Sequence, residues 1–221
     1  MISCYHGLIG NARNWEPLLD ALGTKDDFSK SDIDYVRNGI EKIIEAERQK
    51  LFEYTVAKKI TLGNSLGCLV ALGVGDDVQK IILTAPPYSF GGGFIPRTRS
   101  GIEKYIRGIY CDRPLNDEQK LELDKTGRKF SRILSDRKNI PKLRQLAKSV
   151  QEFSYWELVK KHRKKVHIVL GAEDTLTPQS EILPYLEENL PDVTVEILKG
   201  CGHAVPLEKP RELANIIERY S

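Results

Sequence analysis

The amino-acid sequence predicts an α/β fold, in which helices cover both faces of a mostly parallel β-sheet. Short apolar segments alternate along the chain with longer segments whose apolar residues recur at helical spacing. This alternation is typical of parallel sheets. One junction, at residues 62–67, joins an apolar strand, a glycine-rich turn and an apolar helix. A chain of 221 residues suits one domain that carries an insertion.

Six segments have the composition of strands. In chain order they lie at Met1–Tyr5, around Phe28–Ile33, and at Ala57–Leu62, Ile81–Thr84, Val166–Leu170 and Val193–Leu198. The second segment is the weakest candidate, because it is short and polar, and a helix over Asp34–Lys50 is predicted after it. We therefore expect a sheet of about six strands, which buries less apolar area than a larger one.

Residues 88–165, here called the insert, lie between two predicted core strands and are mostly helical in pattern. Apolar residues recur at helical spacing over Glu118–Ser135 and Ile140–Val150. Pro86-Pro87 and the glycines at 91–93 mark the entrance to the insert. The triple glycine could act as a hinge, or it could be an ordinary loop.

The most informative motif is Gly63-Asn64-Ser65-Leu66-Gly67, a G-x-S-x-G between the predicted strand and helix. Strand, sharp turn and helix is the context that exposes a nucleophilic serine at the end of a sheet. The glycines have a steric purpose, because side chains there would clash with the strand or the helix. The alternative is a glycine- and serine-rich turn that binds nothing.

A serine hydroxyl needs a base within hydrogen-bond reach, and the base needs an orienting carboxylate. His203 lies in a glycine-rich loop after the last predicted strand, and Asp174 lies in the loop after the strand 166–170. Ser65, Asp174 and His203 each follow a strand. The loops after parallel strands meet at the carboxyl end of the sheet, where open α/β folds bind ligands.

Other residues compete for these roles. Glu173 is the neighbouring candidate for the acid, and the residues alone leave the choice between it and Asp174 open. His167 falls inside a predicted strand and is expected to be packed in the interior. His162 lies within the charge run Lys160–Lys165 and is expected to be solvated.

Several segments carry a resemblance to a known family. They are His6–Gly10, Gly63–Gly67, Gly171–Asp174 with Pro178, Gly200–His203, and Pro206–Pro210 leading into a final helix. The chain resembles the α/β-hydrolase superfamily over residues 1–87 and 166–221. The resemblance implies an α/β-hydrolase fold with a shortened, mostly parallel sheet of about six strands. Residues 1–87 and 166–221 would form its core, and the insert 88–165 would form a helical cap.

The resemblance implies a role for each matching residue. Ser65 would be the nucleophile, His203 the general base and then the acid, and Asp174 the orienting acid. The backbone N–H groups of Leu66 and Leu8 would form the oxyanion hole. His6 would hold the oxyanion loop, with a plain loop histidine as the alternative.

The chain also departs from the family pattern. It begins almost at the strand before the oxyanion loop, where relatives usually carry further strands. The loop after the second predicted strand lacks the glycine-rich, aspartate-containing sequence that relatives often have. Asn64 stands where many relatives have histidine, at a position that tolerates change.

The insert is expected to set substrate specificity. Its aromatic residues, with Tyr88, Phe94 and Trp156 as the predicted substrate contacts, could line an apolar acyl pocket or form the insert's own small core. The insert has 20 lysines and arginines against 9 acidic residues, a net charge of +11, whereas the rest of the chain carries −8. This surface is either simply solvated or attracts an anionic partner. That partner could be a carboxylate substrate, a phosphopantetheine thioester or an acidic carrier protein.

Composition argues against other classes. The four cysteines, Cys4, Cys68, Cys111 and Cys201, lack metal-ligand spacing and are expected to be reduced thiols in the cytoplasm. Cys201, two residues before His203, is either reactive or a spectator. No signal peptide, membrane-length apolar run or nucleotide-binding fingerprint occurs. We expect no cofactor, no metal, no membrane span and no nucleic-acid partner, since the basic run at 160–165 stands without a recognised module.

The expected function is therefore that of a serine esterase or thioesterase, in class EC 3.1. It would act on a small-molecule acyl substrate through an acyl-enzyme on Ser65. Two alternatives remain open. One is a hydrolase-like lyase that uses the same triad to abstract a proton from an anionic substrate. The other is a ligand-binding protein on the same scaffold without turnover.

Overall fold

A six-stranded parallel sheet forms the centre of the protein in the computed structural model, which describes residues 1–8, 10–23, 28–54, 59–87, 107–109, 117–152 and 154–220. The strands are β1 Ile2–Tyr5, β2 Phe28–Ser31, β3 Ile60–Asn64, β4 Lys80–Thr84, β5 Val166–Gly171 and β6 Thr194–Leu198. Their order across the sheet is β2-β1-β3-β4-β5-β6, and every neighbouring pair is parallel. The predicted fold class and strand count are confirmed.

Ten α-helices have both of their ends in the described ranges. They are α1 Glu16–Leu22, α2 Tyr35–Asn38, α3 Ile40–Glu53, α4 Gly67–Gly73, α5 Asp117–Ser135, α6 Asn139–Glu152, α7 Tyr155–Lys161, α8 Gln179–Asn189, α9 Val205–Glu208 and α10 Pro210–Glu218. The single helix predicted over Asp34–Lys50 is wrong in one respect. Gly39 has φ +74°, a conformation that interrupts a right-handed helix, so the segment divides into α2 and α3.

Side chains on the central strands alternate between two apolar clusters, one on each face of the sheet. On β4, Ile81 and Leu83 join the cluster that contains α3 and α4, whereas Ile82 joins the cluster that contains α10. All three side chains are fully buried, and each such burial stabilises the fold by about 1.5–3 kcal/mol. The sheet is therefore covered on both faces, which holds its strand ends in fixed positions.

The two helices predicted in the insert are present as α5 and α6. Leu146 and Val150 of α6 and Val159 of α7 are buried in the same apolar cluster as α3 and α4. The later part of the insert is thus packed into the core. The extent of a separate cap over 88–165 stays a prediction, since 88–106 and 110–116 lie outside the described residues.

His162 contradicts the expectation that it is solvated. Only 6% of its surface is exposed, and a Cβ at Gly75 would come within 2.9 Å of its Nε2. The imidazole therefore fills space that a glycine leaves open, and burial lowers its pKa although the Asp76 carboxylate opposes the shift. Its charged neighbour Lys161 turns outward and pairs with Asp76 at 2.7 Å.

Among the helices that the structure describes, none has both the length and the apolar character needed to cross a lipid bilayer.

Candidate active site

Ser65 occupies a sharp turn between the end of β3 and the start of α4. Its backbone φ is +52°, in the left-handed region that non-glycine residues rarely adopt. The turn is held from both sides, because the Ser65 N–H donates to the Thr84 carbonyl at 3.0 Å and the Ser65 carbonyl accepts from the Cys68 N–H at 2.9 Å. This conformation aims the hydroxyl away from the sheet.

The glycines of the motif lie where the helix meets the strands. A Cβ on Gly63 would come within 2.6 Å of the Cys68 Cα, and one on Gly67 would come within 2.0 Å of the Tyr5 carbonyl oxygen. Side chains at either position would push α4 away from the sheet. These distances agree with the steric purpose expected from the sequence.

His203 and Asp174 meet at the same end of the sheet. Asp174 follows β5 and His203 follows β6, and the His203 Nδ1 lies 2.9 Å from the Asp174 Oδ2. Both side chains are buried, so their interaction is shielded from water. Ser65 and His203 line one cavity. The structure thus brings the three predicted catalytic residues to one place.

Asp174 is fixed by more than the histidine. Its Oδ1 accepts the backbone N–H groups of Leu176 and Thr177 at 2.8 and 2.9 Å, and its Oδ2 accepts the Thr177 hydroxyl at 2.6 Å. Burial alone would raise the pKa of Asp174, but His203 and the Thr177 bonds outweigh it and lower the pKa. An ionised carboxylate beside Nδ1 calls for a proton on that nitrogen, which leaves Nε2 of His203 as the basic nitrogen.

Glu173, the competing candidate for the acid, has a different task. Its two carboxylate oxygens accept the backbone N–H groups of Gly200 and Cys201 at 3.0 and 2.8 Å. Its position therefore anchors the loop that carries His203. Glu208 holds the other side of that loop, because its Oε1 accepts the N–H of Gly202 at 3.1 Å.

His6 holds the predicted oxyanion loop from inside. Its Nε2 accepts the Ile33 N–H at 2.9 Å, its Nδ1 donates to the Gly7 carbonyl at 2.7 Å, and its own carbonyl accepts the Tyr35 hydroxyl at 2.6 Å. Burial lowers the pKa of His6, which favours the neutral ring that these bonds need. The geometry matches the loop-holding interpretation of His6.

The oxyanion loop lies against the serine. A Cβ on Gly7 would be 3.2 Å from the Ser65 Cβ and 3.6 Å from its Oγ. Leu8 lines the cavity that contains Ser65, and Leu66 follows the serine with its side chain buried. Neither the Leu8 nor the Leu66 N–H donates to any part of the chain that the structure describes.

One residue of the insert reaches this site. The Ile109 carbonyl accepts the N–H groups of His203 and Ala204 at 3.1 and 3.0 Å, and Ile109 lines the cavity. Sequence reasoning missed Ile109, Thr177 and the anchoring role of Glu173. An aliphatic residue that acts through its carbonyl leaves no signal in the sequence.

The predicted substrate contacts are not brought together here. Tyr88 and Phe94 lie outside the described residues. Trp156 on α7 is absent from the described wall of the Ser65 cavity, and its ring centroid lies 4.8 Å from that of Tyr155 and 4.7 Å from that of Tyr185. Trp156 is therefore part of an aromatic cluster at the edge of the core.

Cys4, Cys68 and Cys201 are buried and form no disulfide within the described ranges. Burial raises the pKa of Cys68 well above its usual range. The described residues hold no cluster of three histidine, cysteine or acidic side chains arranged to bind a metal ion. Cys111 lies outside the described residues.

Comparison with known proteins agrees with this fold. Residues 6–216 match the alpha/beta hydrolase family, and the chain belongs to that family. A comparison with curated proteins finds no match in sequence.

Solved structures share the fold at low sequence identity. One is Est816, described as an N-acyl homoserine lactone degrading enzyme, at TM-score 0.71 and 16% identity, covering 100% of this chain and 92% of that one. Another is MGS-M2, an alpha/beta hydrolase enzyme from a Medee basin deep-sea metagenome library, at TM-score 0.70 and 16% identity, with coverage of 99% and 88%. A putative lipase from Acinetobacter baumannii AYE follows at TM-score 0.67 and 16% identity, with coverage of 99% and 82%.

Proposed function

We propose that this protein is a serine hydrolase that cleaves a carboxylic ester or thioester through an acyl-enzyme on Ser65. One observation carries the proposal: a strained, cavity-lining Ser65 shares its cavity with His203, whose Nδ1 is bonded to a buried Asp174. Structurally similar proteins described as a thermophilic esterase and a putative aryl esterase support it.

In the first half-reaction, the Ser65 Oγ attacks the carbonyl carbon and His203 Nε2 takes the hydroxyl proton. The N–H groups of Leu8 and Leu66 donate to the oxyanion that forms, and one such donor is worth about 3–4 kcal/mol in the transition state. His203 then gives its proton to the departing alcohol or thiol. The bond to the leaving group breaks, and the acyl group remains on Ser65.

In the second half-reaction, His203 Nε2 takes a proton from water, and the resulting nucleophile attacks the acyl-enzyme. The same two N–H groups hold the second oxyanion. Collapse returns the proton to the Ser65 oxygen and releases the carboxylic acid. Asp174 stays ionised throughout and stabilises the imidazolium that forms in each half.

Labelling with a fluorophosphonate probe, followed by intact mass measurement, tests the proposal. The wild-type protein should gain one probe per chain, because the probe needs an activated serine and an oxyanion hole. Ser65→Ala should gain none while keeping its fold. Labelling of Ser65→Ala to the same extent would place the nucleophile elsewhere.

The labelled, active protein is then tested on esters and thioesters, with product analysis. Release of a free acid and an alcohol or thiol is expected. Elimination of a proton and a leaving group without addition of water would assign the same triad to a lyase. A folded protein that does not label, yet gains thermal stability with a small ligand, would be a binding protein on this scaffold.

A further inference from the structure

A basic cleft opens beside the proposed oxyanion loop. It lies between α5, the start of α6 and residues 32–36, and its volume is about 700 Å³. Leu8 lines this cleft and also the Ser65 cavity. The two spaces therefore meet at the residue whose N–H is proposed to bind the oxyanion.

Five cations line the cleft. Lys125, Arg128, Lys129 and Arg132 are spaced three or four residues apart on α5 and so share one face of that helix. Lys142 faces them from α6. All five side chains are exposed to solvent.

Two acidic residues, Asp32 and Asp34, line the opposite wall. The cleft therefore carries an excess of positive charge. Within the described part of the chain, the side chains of Arg128, Arg132 and Lys142 form no ion pair. Concave sites lined by one sign of charge concentrate ligands of the opposite sign.

The cleft is also joined physically to the proposed catalytic loop. The Lys129 Nζ donates to the Gly10 carbonyl at 3.0 Å, two residues beyond Leu8. This bond joins the cation-bearing face of α5 to the proposed oxyanion loop.

The volumes of the Ser65 cavity and of the cleft indicate that a substrate would extend into the cleft. The cavity at Ser65 measures about 60 Å³. Small-molecule sites usually measure about 300–1,000 Å³, and the cleft alone falls in that range. The basic cleft adjoins the Ser65 cavity at Leu8 and offers space for a substrate that extends beyond that cavity.

We propose that the substrate carries a phosphate group and that the cleft binds this group through Arg128, Arg132 and the neighbouring lysines. The inference rests on the proposed hydrolase function. Guanidinium groups match phosphate oxygens in paired hydrogen bonds. Several cations in one cleft suit a group with more than one negative charge better than a single carboxylate.

Matched substrate pairs test the proposal. Butyryl-coenzyme A is compared with the butyryl thioester of N-acetylcysteamine, and butyryl glycerol 3-phosphate with monobutyryl glycerol. Within each pair the acyl group and the reacting bond are the same, and only one member carries phosphate. We expect at least one pair to show a kcat/KM ratio of about tenfold or more in favour of phosphate, because hydrogen bonds to charged groups are strong.

The variant Arg128→Gln/Arg132→Gln should lower this ratio at least about tenfold. Arg137→Gln/Arg144→Gln, which removes two exposed arginines outside the cleft, should keep the wild-type ratio. A single Lys142→Gln variant provides a second, milder change. Equal rates within both pairs, or a ratio unchanged in the Arg128/Arg132 variant, would overturn the proposal. The pair that responds identifies whether the phosphate belongs to a nucleotide carrier or to a simple alcohol.

Binding to the Ser65→Ala protein separates this inference from the proposed chemistry. Coenzyme A and glycerol 3-phosphate are titrated calorimetrically in buffer without phosphate. A Kd that rises at least about tenfold in Ser65→Ala/Arg128→Gln/Arg132→Gln supports the cleft, even if wild type hydrolyses nothing. Hydrolysis of phosphate-free esters without any binding of either probe would leave the hydrolase standing and overturn the cleft.

Discussion

Ser65 is held in a backbone conformation that costs an L-residue about 1–2 kcal/mol. Its φ of +52° is natural for glycine, so Ser65→Gly should relieve strain that Ser65→Ala retains. Glycine also gains entropy in the unfolded chain, which offsets part of the relief. We expect the free energy of unfolding of Ser65→Gly to exceed that of Ser65→Ala by about 1 kcal/mol.

Urea denaturation of the two variants measures this difference, and both lack the hydroxyl, so the comparison isolates the backbone. Equal stabilities would mean that the turn is not strained. A greater stability of the glycine variant would show that the serine's position is maintained at a cost to the fold, as expected where a side chain is kept for chemistry.

At this scale the sequence is informative about some residues and silent about others. Ser65, Asp174 and His203 could be predicted, because each follows a strand of a parallel sheet. Thr177 could not, since its bond to Asp174 depends on how one loop folds back on itself. The charged neighbours of His162 predict that it is solvated, yet its ring packs on Gly75. The sequence alone does not show that a glycine elsewhere in the chain leaves room for this ring.

The loop that carries His203 is positioned by carboxylates on its flanks. The two carboxylate oxygens of Glu173 each accept one backbone N–H, from Gly200 and from Cys201. A glutamine side chain has one acceptor oxygen. Glu173→Gln should therefore leave one of the two backbone N–H groups unpaired, with the side-chain NH2 donor facing it. We expect a loss of about 1–2 kcal/mol of stability and, because His203 loses its fixed position, a fall in kcat/KM of about tenfold or more.

Thermal denaturation and ester hydrolysis measure both effects. Glu188→Gln, a change at an exposed position on α8, is the matched control and should leave both unchanged. Full activity of Glu173→Gln would show that the other contacts of the loop, including those of Glu208 and the Ile109 carbonyl, suffice to hold His203.

Strands and helices can be predicted where the apolar spacing of the sequence is continuous. The strands other than the polar β2, and helices α5 and α6, appear where apolar spacing predicts them, since burial against one surface imposes that spacing. The break between α2 and α3 was missed, because Gly39 within a helical pattern does not by itself reveal its φ. The basic cleft was also beyond sequence reasoning, because it forms where α5 meets the residues after β2.

Across the whole molecule, positive charge is concentrated in the insert, at +11 against −8 for the remainder. If the positive side chains of the insert were spread evenly over its surface, this separation of charge would have little consequence. Here the fold places five cations of the insert in one cleft beside the oxyanion loop. If the proposed cleft binds phosphate, we expect this asymmetry to attract anions towards it, an effect that salt should weaken.

Three buried histidines make the stability of the whole chain depend on pH. His6, His162 and His167 have little exposed surface, and burial is the main cause that lowers the pKa of each. His167 is the strongest case, with its pKa lowered to about 4. Lys80 and Arg219 add to the shift, and the Glu196 carboxylate opposes it.

The surroundings of His167 show why its protonation is unfavourable. Its Nδ1 is hydrogen-bonded to the Tyr220 hydroxyl at 2.7 Å. Its Nε2 lies 3.1 Å from a Glu196 oxygen, but the approach is not aligned as a hydrogen bond. Arg219 already pairs with that carboxylate at 2.6 Å. A charged imidazole would share this carboxylate with Arg219, while its own ring is fully removed from water.

The sign of the pH effect follows from these pKa values. In the unfolded chain each histidine takes up a proton near pH 6.5, whereas the native chain does so only at lower pH. Because the unfolded state then binds more protons, the free energy of unfolding falls as the pH falls below about 6.5. For His167, with a native pKa of about 4, the loss at pH 5.0 relative to pH 7.5 is about 2 kcal/mol.

Urea denaturation at pH 7.5 and pH 5.0 measures this difference, at values where few carboxylates titrate. His167→Gln should be less stable than wild type at pH 7.5 but should lose about 2 kcal/mol less between the two pH values. Tyr220→Phe removes the hydroxyl partner and keeps the imidazole, so its stability should still fall on acidification. A wild-type protein equally stable at both pH values, or a His167→Gln variant with the full pH dependence, would show that proton uptake by this histidine does not limit stability in acid.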